Sequence, residues 1–121
     1  MTKSEALHAF FSQFMTAYAD SSVPEATEFP WLTYEMASGS WWSGQIALTV
    51  NLWFYTESEA VPDAAAQKIV DAIGCGHYVA YDGGAALLLP GSPEWQRVKD
   101  DSNKNIKRRM LNITVEFLSR T

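Results

Sequence analysis

The sequence predicts an α+β fold: a mainly antiparallel sheet of about five strands with two helices packed on one face, in the order α-β-β-α-β-β-β. Three observations carry this reading. Residues 3–20 and 62–73 repeat apolar side chains at helical spacing. Other segments alternate apolar and polar side chains, the period of a strand with one buried face. Short links rich in turn formers join the strands, and tight turns make neighbours antiparallel. The 121 residues, 47% hydrophobic and 19% charged, suit a single domain spanning 1–121.

In the first segment Leu7, Phe10, Phe11, Phe14, Met15 and Tyr18 share one helical face. Thr2 and Glu5 have the spacing of a capping box, which satisfies free N–H groups at a helix start. Pro24 bars continuation. Next, Trp31 to Met36 reads as a strand with Leu32, Tyr34 and Met36 on one side. A longer strand follows, with Ile46, Leu48, Val50, Leu52 and Phe54 inward and Thr49, Asn51, Trp53 and Tyr55 outward. The link "ASGSWWSG" between them makes a long hairpin with Trp41 and Trp42 at its tip.

Residues 62–73 form the second helix, with the stripe Ala66, Ile69, Val70 and Ile73. Pro62 suits its first position and Gly74 its C-terminal cap. "HYVAYDGGAALLLPG" reads as a second hairpin turning at Asp82, Gly83 and Gly84. A loop anchored by Trp95 is expected from Pro90 to Asn103. The last strand, about Ile106 to Ser119, buries Leu111, Ile113, Val115 and Phe117. Two helices cover one sheet face. The other shows Thr49 to Tyr55 beside Asn112, Thr114 and Glu116.

Charge and composition narrow the chemistry. A net charge of -5 opposes general binding to a phosphate backbone. Cys75 is the single cysteine, so no internal disulfide forms. The opening "MTKSEALHAFFSQF" is too polar for a signal peptide, and no stretch approaches the roughly 18 apolar residues of a membrane span. The "NIT" triplet at Asn112 lies inside a strand and has no secretory signal before it. These features predict a soluble protein made in the cytoplasm.

Cys75 and His77 are the one pair with nucleophile chemistry, because a nearby base generates a thiolate. Their spacing is too short for the ring to turn back to the sulfur, and Asp82 has the wrong strand parity to orient it. With only His8, His77 and Cys75 as nitrogen and sulfur ligands, no metal set of three or four is expected. Asp100 and Asp101 lack an EF-hand pattern. "DGG" precedes a strand and not the helix a phosphate loop requires. The residues therefore predict no enzyme, no cofactor and no metal.

Surface chemistry is more informative. Trp41 and Trp42 at a hairpin tip suit a protein interface. Lys104, Lys107, Arg108 and Arg109 crowd one end of the last strand. Arg108 and Arg109 are neighbours and must face opposite sides of the sheet, so the cluster belongs to a rim. A solvated strand end, an acidic partner such as another copy of this chain, and nucleic acid are the alternatives, in that order.

The layout, with "PWLTYE" entering a long hairpin and "IKRRMLNITVEFLSR" as the final strand, resembles the tail terminator and tail completion proteins of long-tailed bacteriophages and prophages, also labelled minor capsid proteins. The resemblance implies a structural virion protein that caps the tail tube as a ring, commonly of six copies, and contributes to head-tail joining. It implies as partners the tail tube protein and the head connector, with DNA only passing through the channel and no membrane. The virion neck is the implied location. Candidate contact residues are then Trp41, Trp42, Trp53, Tyr55, Lys104, Lys107, Arg108 and Arg109. The competing reading is a small α+β ligand-binding domain or enzyme. It would use the aromatic sheet face as a pocket floor, with Trp53, Tyr55 and His77 together.

Overall fold

A computed structural model describes residues 2–19, 28–37, 45–98 and 105–119. It shows two helices and a six-stranded mixed sheet: α1 (Lys3–Ser12), β1 (Thr16–Ala19), β2 (Trp31–Ala37), β3 (Gln45–Tyr55), α2 (Ala60–Ile73), β4 (His77–Tyr81), β5 (Gly84–Val98) and β6 (Ile106–Ser119). The strand order is β1-β2-β3-β6-β5-β4. Every pairing is antiparallel except β1 with β2, which is parallel.

The sixth strand corrects the expected five, and its origin is specific. The helical spacing of Phe14, Met15 and Tyr18 suggests a helix to residue 20, but α1 stops at Ser12. The Gln13 backbone N–H and its side-chain Nε2 both donate to the Phe10 carbonyl, 3.4 and 3.0 Å away. That closes the last turn. Thr16 to Ala19 then find a better use for their backbone groups along the open edge of β2, with Thr16 opposite Trp31. Pairing with a distant strand overrides local periodicity here. Phe14 and Met15 still pack on the core from the link.

The α1 start is as expected. The Thr2 hydroxyl accepts from the Glu5 N–H, and the Glu5 carboxylate accepts from the Thr2 N–H, both at 3.1 Å. Helix α2 begins at Ala60, two residues before Pro62, and ends on Gly74 at φ 56°. The positive φ explains a glycine there.

The loop expected from Pro90 is instead the second half of β5. The strand bulges between Pro90, opposite Ile113, and Trp95, opposite Leu111. At the bulge the two backbones nearly touch: a Cβ on Gly91 would lie 2.5 Å from the Asn112 carbonyl oxygen. The Asn112 side chain donates to the Pro93 carbonyl at 3.0 Å. Four strand residues opposing one keep Trp95 on the helix side, where its indole N–H donates to Gln67 on α2 at 3.2 Å.

Both helices lie on one face. The core joins Leu7, Phe10 and Phe11 of α1 and Ala66, Ile69 and Ile73 of α2 to Leu32, Leu48, Val50, Leu52, Leu88, Leu111 and Val115 of the sheet. Helix α1 packs against both β1 and β4, the two outermost strands. Six strands at about 4.8 Å spacing span about 24 Å, more than twice the roughly 10 Å width of one helix. The sheet therefore curls around α1. No helix among the described residues is long and apolar enough to cross a membrane.

Candidate functional site

The convex, helix-free face carries the most specific arrangement. Residues directly opposite each other in an antiparallel pair share a face. The β2–β3 register sets Trp31 opposite Trp53, and the β3–β6 register sets Trp53 opposite Arg108. The two indoles stack with centroids 4.3 Å apart and planes 9° from parallel. The Arg108 guanidinium sits 5.4 Å from the Trp53 ring centre, within cation–π range. Its Nε donates to Asn51 Oδ1 at 2.9 Å, which fixes the plane of the group. Tyr18 meets Trp31 edge-on from β1.

Phe29 and Tyr55 close one end, with rings 5.9 Å apart, and are 41% and 58% exposed. Thr33 and Asn51, opposite each other in the next row, are buried. Among the described residues the Trp31 indole N–H is buried without an acceptor, and such an unfilled donor is rare. The result is a rigid row of aromatic planes with one oriented cation. Tryptophan, tyrosine and arginine are the side chains that dominate protein–protein contact energies.

Trp53, Tyr55 and Arg108 of the candidate set thus assemble on one face. Trp31 and Phe29 were not singled out from the sequence, whereas Asn51 was expected on this face beside Trp53. Strand parity alone puts Trp31 on the side opposite Leu32, so that signal was present. The stack itself needed the hairpin register. Trp41, Trp42 and Lys104 lie outside the described residues.

The basic rim is corrected. Arg108 and Arg109 do face opposite sides, but Arg109 is only 2% exposed. It sits under the start of α2, with Nε 2.7 Å from Asp63 Oδ1 and Nη2 2.6 Å from Glu59 Oε2. Lys107 pairs with Glu59 at 3.3 Å and Arg97 with Asp63 at 2.6 Å. Two carboxylates on α2 and the residue before it therefore hold three cations. The sequence hid this because the partners are far apart along the chain and meet only when α2 crosses β5 and β6.

Partial burial pulls the Glu59 carboxyl up, but hydrogen bonds and charges from Arg109 and Lys107 outweigh it and leave the pKa below the ordinary 4.5. A hydrogen bond from Arg97, against partial burial and aided by Arg109, holds Asp63 below its ordinary 3.8. Glu59 is 45% exposed, so water screens part of its attraction. Lowered folded-state values mean that the unfolded chain takes up protons first. The contribution is complete above about pH 4.5 and is lost as pH falls through the lower folded-state values. The thermal midpoint should therefore drop below that pH, and Asp63→Asn should flatten the drop. An acid profile identical in the variant and the parent would contradict the assignment.

Cys75 is exposed in the turn after α2. His77 lies on the helix side with its ring 5.0 Å from Phe10. That is the face opposite Trp53 and Tyr55, so those three do not form one pocket floor. No group of three or more potential metal ligands occurs among the described residues. No protein-family model matches this chain, and no curated protein matches it.

Proposed function

We propose that this chain is a structural virion-assembly protein of the tail terminator or tail completion type. It closes the end of a phage tail tube as a ring, commonly of six copies, and contributes to joining tail and head. The observation that carries the reading is the helix-free face with its Trp31–Trp53–Arg108 row, flanked by exposed Phe29 and Tyr55. Such a row suits a protein surface, because rigid aromatics bury large area at little cost in rotamer freedom. The element order supports it, as does a net charge of -5, which lets DNA pass through a channel without sticking.

In this reading the tail tube protein, the head connector and neighbouring copies are the partners, and the virion neck is the location. The face takes one of those protein neighbours. Trp41, Trp42 and Lys104 remain candidate contacts on sequence grounds.

The test is genetic. A prophage deleted for this gene should yield tubes of irregular length and heads without tails under negative-stain electron microscopy. Tails of normal length joined to heads would overturn the proposal. Trp53→Ala/Arg108→Ala should give the same defect with the protein still folded.

A further inference from the structure

The sheet has two outer strands, and the chain protects its edges unequally. β1 is four residues long. The stretch of β5 that runs past β4 carries Pro90, Pro93 and the bulge. Short length, proline and bulges are the devices that keep an edge from pairing. β4, five residues long, has neither proline nor bulge. Its sequence His77-Tyr78-Val79-Ala80-Tyr81 holds no proline, lysine, arginine or carboxylate, and its ladder with β5 is unbroken.

Which backbone groups of β4 are open follows from the turn. The link Asp82-Gly83 has two residues, so the flanking Tyr81 and Gly84 form a hydrogen-bonded pair. Such pairs alternate along an antiparallel ladder. His77, Val79 and Tyr81 therefore turn their N–H and C=O groups toward β5. Those of Tyr78 and Ala80 point away from the sheet. Both residues are exposed, Tyr78 at 64%.

We propose that β4 pairs with β4 of a second copy of this chain, antiparallel, about a two-fold axis at Val79. In that register Tyr78 stands opposite Ala80 of the second copy, and Ala80 opposite its Tyr78. Each is a hydrogen-bonded pair exchanging two bonds, about four bonds in all. Every outward backbone group of Tyr78 and Ala80 is then filled. Val79 meets its own copy at the axis.

The strand is self-complementary in three respects. The register sets a large side chain against a small one, Tyr78 on Ala80. It brings no like charges together. It also extends an apolar surface, since Tyr78 lies beside Leu87 on β5, and Ala80 beside Ala85 and then exposed Leu118 on β6. An unrelated strand would satisfy the hydrogen bonds but not this register. The pairing is independent of the virion role and stands or falls by itself.

Sedimentation equilibrium of the full chain tests it. From roughly 10 μM to 1 mM, the mass should rise from the chain's 13.5 kDa toward twice that value. Ala80→Pro removes an outward N–H without touching the ladder to β5, and Ala80→Lys sets a charge in the pair. Both should stay at 13.5 kDa, with the thermal midpoint that the parent shows when dilute and monomeric. If the proline variant is unstable, the lysine variant decides.

In a Cys75→Ser background, Val79→Cys places thiols at a non-hydrogen-bonded pair, with Cβ atoms about 4.5–5.5 Å apart. Mild oxidation should then link two copies, and adding Ala80→Lys should abolish the link. A parent that stays monomeric at roughly 1 mM overturns the proposal. So does a dimer that survives both Ala80 substitutions.

Discussion

Neutralising Glu59 and Asp63 together, as Glu59→Gln/Asp63→Asn, should destabilise the protein far more than replacing Arg109 by methionine. The asymmetry follows from where the charges sit. Arg109 is 2% exposed. Apart from its two carboxylates, its polar partners are the carbonyls of Arg108 at 3.0 Å and Glu59 at 3.5 Å. Arginine keeps its proton at any accessible pH, so the double amide strands a charge in the interior. Leaving a buried charge uncompensated costs about 3–5 kcal/mol.

The reverse substitution strands nothing. After Arg109→Met, Glu59 retains Lys107 and Arg97, Asp63 retains Arg97, and both carboxylates reach water. Exchanging a buried ion for an apolar side chain of similar volume is often neutral. In urea denaturation the methionine variant should unfold close to the parent and the double amide well before it. Should the methionine variant prove the weaker of the two, Glu59 and Asp63 are not what makes a buried arginine tolerable here.

Phe11→Ala should cost about 3–5 kcal/mol, the range for emptying a buried aromatic site. Phe11 is fully buried, and its ring stacks on Tyr34 of β2 at 5.4 Å and 22°. The neighbouring Phe10 meets it edge-on at 5.1 Å and cannot fill the hole without leaving His77. Met36→Ala, on an exposed side chain of the same strand as Tyr34, should change stability by less than about 0.5 kcal/mol. Denaturant midpoints with constant slopes would read both. A loss below about 1 kcal/mol for Phe11→Ala would show that α1 contributes less to the core than its burial implies.

The elements that were legible are those whose signal is local. The alternation of Ile46 to Phe54 and of Leu111 to Phe117 identified both sheet faces. The Thr2–Glu5 box and Gly74 located helix ends. What was hidden depends on chain segments far apart. Phe14 and Tyr18 continue the apolar spacing of α1, yet the edge of β2 draws Thr16–Ala19 into a strand. Pro90 and Pro93 suggest a loop, but a bulge accommodates them in β5.

The aromatic face was half visible in the same way. Parity put Trp53 and Tyr55 outward, and the register then brought Trp31 beneath Trp53. Arg109 was misplaced because its charge suggested solvent. The carboxylates that let it stay inside come from the start of α2, nearly fifty residues earlier in the chain.

The grip of α1 on both outer strands bears on how the chain is made. Phe10 rests against His77, and Phe11 against Tyr34. As the polypeptide leaves the ribosome, α1 emerges before β4 and waits several seconds for it at about 5–20 residues per second. Through that interval its phenylalanines have no finished surface to dock on, so the nascent N-terminal half is the stage most open to chaperones and proteases.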